Sequence, residues 1–120
     1  MAWVGKPYTG LWIREYLKRV GMDYEYNIWR TLVKTLAKYG YKYPSYQSFR
    51  KYMRVLRKLN LVRVVKEEHR GYGFPRRYYA LVPENIDRDD LWINPQKALY
   101  GIKVALGRRR YRKLKEEGKI

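Results

Sequence analysis

Five cations in the segment Ser45 to Asn60 are spaced to face away from a common apolar stripe. Its sequence is Ser-Tyr-Gln-Ser-Phe-Arg-Lys-Tyr-Met-Arg-Val-Leu-Arg-Lys-Leu-Asn. At helical spacing Phe49, Met53, Leu56 and Leu59 fall on one stripe, which leaves Arg50, Lys51, Arg54, Arg57 and Lys58 pointing elsewhere. Guanidinium and ammonium groups so arranged are suited to holding a polyanion. A second basic group follows in Lys66, Arg70, Arg76 and Arg77, around the glycines of Arg70-Gly-Tyr-Gly-Phe-Pro75. Two glycines there let the chain approach another backbone closely, and Arg70 suits a narrow minor groove; the plain alternative is a hairpin loop with exposed arginines. The third group, Arg108, Arg109, Arg110 and Arg112, lies in a run of one sign that ends at Lys115. Such a run gains affinity by releasing counterions and reads no sequence.

Other chemistry is thinly supported. The chain has no cysteine and one histidine, His69, so neither a thiolate zinc site nor a shared imidazole site is expected, and no metal or cofactor is assigned. Glu84, Asp87, Asp89 and Asp90 cluster after a proline, where acids serve as caps and solvated turn residues more often than as a metal-dependent nuclease site. Fourteen tyrosines are present, but no paired histidine motif supports a tyrosine nucleophile. No catalytic residue is assigned, and the chain is expected not to be an enzyme.

Composition agrees with a charged partner. Within 120 residues, 28 Lys and Arg oppose 11 Asp and Glu, for a formal charge of +17. That is far beyond what solubility needs, so nucleic acid, an anionic membrane surface or an acidic protein is the expected class of partner. With 46% hydrophobic residues a small packed core is also expected. No run of apolar residues is long enough to span a bilayer, and the N-terminus lacks the pattern of a secretory signal, which together predict an intracellular protein.

Positioning these groups requires helices, and the punctuation is regular. Gly21, Gly40 and Asn60 each follow a stretch with helical spacing, where a left-handed residue closes a helix. The first helix is predicted from about Thr9 to Val20, with Ile13, Tyr16, Leu17 and Val20 inward. The second runs from about Glu25 to Tyr39, with Trp29, Leu32, Val33 and Leu36 inward and Asp23 or Asn27 as its cap. Pro44 breaks the pattern, and Ser45 then caps the third helix. Leu61 to Val65 and Arg76 to Val82 read as the strands of a hairpin, with either Val62, Val64, Tyr78 and Ala80 or Val65, Tyr79 and Leu81 on one face. Residues 83–93 read as an acidic linker. Asn94 and Pro95 then start a fourth helix whose stripe is Ala98, Leu99, Ile102, Ala105 and Leu106, ending or bending near Gly107. That stripe serves either packing on the domain or pairing with a second copy.

From Pro44 to Val65 the sequence resembles the recognition-helix region of winged helix-turn-helix domains. In that family a small polar cap opens a helix with an apolar residue in its first turn and two leucines near its end, before a Gly or Asn and an apolar pair enter the first wing strand. Ser45, Phe49, Leu56, Leu59, Asn60, Leu61 and Val62 occupy these positions here. The likeness extends over about residues 11–82, with Tyr41, Tyr43 and Tyr46 crowding a turn where the family usually has smaller polar residues.

The resemblance implies three helices and a two-stranded wing in residues 1–82; with the linker of residues 83–93 and the C-terminal helix and basic tail of residues 94–120 read from the residues themselves, a mainly α fold of α+β class is expected. It also implies that the third helix enters a DNA major groove while the wing meets backbone or minor groove. Tyr46, Gln47, Arg50 and Lys51 would then face base edges or phosphates, with Gln47 and Arg50 the best base readers. A solvated face that meets only phosphates is the alternative. A transcriptional regulator or chromatin-associated factor is the leading expectation, and an RNA-bound, ribosome-associated structural protein the second.

Overall fold

The computed structural model describes residues 7–69, 71, 73 and 75–116. Arg70 of the expected wing tip therefore lies outside the described residues. Helix α1 spans Pro7–Val20, α2 Glu25–Lys38 and α3 Tyr46–Lys58. Their ends follow the punctuation in the sequence: Gly21, Gly40 and Asn60 take φ of 83°, 74° and 61°. A left-handed residue turns the chain away and lets later amides reach the last carbonyls, as Leu61 N–H does with Leu56 at 3.0 Å. Ser45 caps α3 by accepting from Ser48 N–H at 3.2 Å. Neither Asp23 nor Asn27 caps α2 through its side chain. Instead Asp23 is buried, accepting from the Tyr16 hydroxyl and from Asn27, and so ties the end of α1 to the start of α2.

The sheet has three strands where two were expected. Strand β1, Asp23–Tyr24, pairs antiparallel with β3, Arg76–Leu81, which pairs in turn with β2, Val62–Glu68, giving the order β1-β3-β2. A two-residue strand carries no alternation pattern, which is why sequence periodicity passes over it. Val62 opposes Leu81 and Val64 opposes Tyr79, but Tyr78 opposes Lys66, so Val65 is the extra residue of a bulge. The core face is thus a mixture of the two candidate sets: Val62, Val64, Tyr79 and Leu81 pack inward and Val65 is exposed.

The buried centre is built from Ile13 and Leu17 of α1, Ile28 and Leu32 of α2, and the stripe of α3. Phe49, Met53, Leu56 and Leu59 are all buried, joined by Tyr52. Val20, expected inward, lies at the end of α1 and is exposed, while Ile28 rather than Val33 takes the buried place on α2.

The segment expected to be an acidic linker is a packed part of the domain. It forms a short 3-10 turn, Pro83–Asn85, and helix α4, Asp89–Ile93, which lies against α1. Trp92 has no exposed surface, and its indole N–H donates to the Asn85 carbonyl at 3.0 Å. Two of the segment's acids are paired, Asp89 with Arg14 of α1 and Asp90 with Arg88. Helix α5 runs unbroken from Pro95 to Glu116, past the expected stop at Gly107. A glycine inside a helix costs about 1 kcal/mol, and the leucine and arginines flanking it favour helix strongly. Ala98 and Leu99 pack on the core, but Ile102 and Leu106 are exposed, so only the first turns of α5 are anchored. The molecule is mainly helical with a small antiparallel sheet, and among the described residues no helix is long and apolar enough to cross a membrane.

Candidate nucleic-acid interface

Burying the apolar stripe of α3 turns its polar residues outward. Gln47, Arg50, Lys51, Arg54, Arg57 and Lys58 are all exposed along a 13-residue helix. The helix is held by its neighbour: Trp29 of α2 donates its indole N–H to the Pro44 carbonyl at 2.9 Å, just before the Ser45 cap. The tyrosines that crowd the turn divide, with Tyr41 and Tyr43 exposed while Tyr46 packs edge-on against Trp29 and Tyr26. Centroid separations of 5.3 to 5.5 Å join these three rings.

Arg50 does not stand alone. Its Nε lies 3.3 Å from Glu25 Oε1, and its guanidinium carbon is 5.8 Å from the Tyr46 ring centroid. Glu25 opens α2 and is largely enclosed. Burial pushes its carboxyl above the usual range, while the Arg50 charge and a hydrogen bond from the Tyr79 hydroxyl, 3.4 Å away, pull the other way. Burial also raises Tyr46 and Tyr79, and the nearby Glu25 charge adds to both. Both phenols therefore remain neutral donors.

Around Glu25 the first turn of α2, the flank of α3 that carries Arg50, Arg54 and Arg57, and strand β3 border a half-open cleft of about 830 Å³. Arg50, Arg54 and Arg57 line it from α3, Arg76 and Arg77 from β3. Tyr24, Tyr26, Tyr46 and Tyr79 supply its aromatic surface. The hairpin cations are partly neutralised by acids across the ladder. Arg77 Nε is 3.2 Å from Glu67, and Arg76 is 3.8 Å from Glu68 while lying over the Tyr24 ring at 4.5 Å. Lys66 lies over Tyr78 at 5.2 Å, and His69 is exposed near the tip.

The expected site residues thus fall into three places. Tyr46, Arg50, Arg54, Arg76 and Arg77 meet at the cleft. Gln47, Lys51, Lys58 and Lys66 lie on exposed surface outside its lining. Arg108, Arg109, Arg110 and Arg112 are exposed on the far part of α5, which is helical rather than the loose tail that a run of like charge predicts. Sequence reasoning missed Tyr24, Glu25, Tyr26 and Tyr79 as cleft residues, and saw Arg57 only as part of a basic face. The strand pairing of Asp23–Tyr24 with β3 brings them together, and a two-residue strand leaves almost no trace in sequence. No protein-family model matches this chain, and no curated protein matches it.

Proposed function

We propose that the chain is a winged helix-turn-helix nucleic-acid-binding protein, with DNA favoured over RNA as its partner. The carrying observation is the outward face of α3, where Gln47, Lys51 and Lys58 are exposed outside the cleft on a helix packed along its opposite side. That helix is about 20 Å long, and a major groove about 12 Å wide accepts an α-helix. The hairpin of β2 and β3 follows α3 directly and bears Lys66, Arg76 and Arg77, which supports reading it as the wing that would meet backbone or minor groove. Gln47 is the base reader on this account. Arg50, shared with Glu25, is better suited to phosphate.

The role that follows is a transcriptional regulator or chromatin-associated factor acting in the cytoplasm at the nucleoid, with no catalytic step and no membrane partner. Affinity without selectivity comes from the arginines of α5. Pairing of two copies through α5 would rest on Ile102 and Leu106, because Leu99 is engaged with the core.

One observation favours the second reading, an RNA-bound structural protein of the ribosome. Exposed cations are not confined to α3 and the hairpin: Lys18 and Arg19 lie on α1, and Arg30, Lys34 and Lys38 on α2. An rRNA protein is basic on several faces, whereas a regulator concentrates its charge on one. Sequencing the nucleic acid that copurifies with the protein separates the two. Dispersed or motif-bearing DNA fragments support the first, a single structured RNA supports the second, and protein free of nucleic acid at low salt contradicts both.

A further inference from the structure

Gripping a duplex backbone needs cations and does not need aromatic rings. The cleft beside α3 nevertheless combines four tyrosines with five arginines. Tyr26 is 49% exposed, yet its ring is fixed from one side by Trp29 and Tyr46, with centroids 5.5 and 5.4 Å away. A ring that is held and still open is what a nucleic-acid base stacks on. Arg54 and Arg57 line the same cleft, and neither has a carboxylate within 4.0 Å among the described residues. Their planar forks match a phosphate with two parallel hydrogen bonds. The volume, about 830 Å³, falls in the range of roughly 300 to 1,000 Å³ of sites that enclose small ligands.

Bases in an intact duplex are stacked on one another and turn only their edges outward. A Tyr face in a cleft therefore meets a base only where the base is unpaired. We propose that this cleft binds one unpaired nucleotide, its base stacked on Tyr26 and its phosphate held by Arg54 and Arg57. The inference rests on the nucleic-acid reading above and adds to it a preference for single-stranded overhangs, gaps or flaps next to a duplex. A free nucleotide offers the same chemistry.

Fluorescence anisotropy at about 200 mM salt, where contacts to phosphate alone are weak, tests it. The probes are a labelled blunt duplex, the same duplex with a short single-stranded overhang, and AMP as competitor. The overhang is expected to bind about tenfold or more tightly than the blunt duplex. Tyr26→Ala brings that ratio close to one, Tyr26→Phe keeps it, and Arg54→Ala lowers it. Competition by AMP for the overhang component alone would assign the same cleft to a free nucleotide as well. Equal affinity for blunt and overhanging DNA overturns the inference and leaves the duplex reading in place. Binding of the overhanging strand that depends on Tyr26, without any binding of the blunt duplex, upholds the inference and removes the duplex reading. Displacement of the overhang by an acidic peptide but not by AMP overturns the nucleotide assignment.

Discussion

The carboxylate of Glu25, in the first turn of α2, lies 3.3 Å from Nε of Arg50, in the second turn of α3. A residue that sequence marks as a base reader is thus paired inside the protein, and the acid responsible stands in a cleft of arginines. Glu25→Gln removes that negative charge and frees the guanidinium. Affinity for any duplex is expected to rise several-fold, read by anisotropy at low salt. A fall in affinity would mean that Glu25 serves binding by orienting Arg50.

The same carboxyl gives the protein a pH signature. Burial raises it above its ordinary value of 4.5, so in the interval above that value the folded chain holds a proton that the unfolded chain has released. Stability therefore falls as pH rises through this interval, until the folded carboxyl too has ionised. Glu25→Gln lacks that contribution. Thermal melts at rising pH from about 4 should show the wild type losing stability relative to the variant. A relative gain would show that the Arg50 charge outweighs burial.

Trp92 and Gly10 give the clearest stability tests. A Cβ on Gly10 would overlap the Trp92 carbonyl oxygen and stand 2.9 Å from the Tyr52 hydroxyl. Gly10→Ala should cost about 1 to 3 kcal/mol by forcing α1 and α4 apart. Trp92→Ala, which empties a fully buried site, should cost about 3 to 5 kcal/mol. Urea denaturation followed by far-ultraviolet circular dichroism measures both. A cost below about 0.5 kcal/mol for Trp92→Ala, typical of a surface position, would mean that residues 83–93 are a linker after all.

Trp92 also shows where sequence reading stops. The boundaries of α2 and α3, the Ser45 cap and the left-handed closures at Gly21, Gly40 and Asn60 were legible because each has a local cause. Periodicity over a full helix likewise identified Phe49, Met53, Leu56 and Leu59. A five-residue helix in an acidic stretch has too few turns to show a stripe, so Trp92 read as part of a linker. The cleft was legible only in part. Arg50, Arg54, Arg76 and Arg77 stood out by charge, but Glu25 and Tyr26 matter through a strand pairing with residues more than fifty positions away. Gly107 misled in the opposite direction, because neighbouring side chains outweigh one glycine in a long helix.

Gln47 and Arg109 carry the two proposed roles, base reading and phosphate gripping. Gln47→Ala should change preference at one base position by roughly 1 to 3 kcal/mol, whereas Arg109→Ala should weaken all sequences alike and reduce the salt slope by about one. Selection from a randomised duplex library, followed by titration of the best and a scrambled site, measures both. Equal losses on every sequence for the two variants would leave α3 as a phosphate-binding helix only.

The most direct test of nucleic-acid binding itself is a titration of a labelled duplex with the full chain at several salt concentrations. If six to ten phosphates are neutralised together by α3, the hairpin and α5, affinity should fall about a thousandfold or more between about 50 and 200 mM salt, with log affinity linear in log salt. No binding at low salt, or affinity that stays flat across that range, would contradict the account.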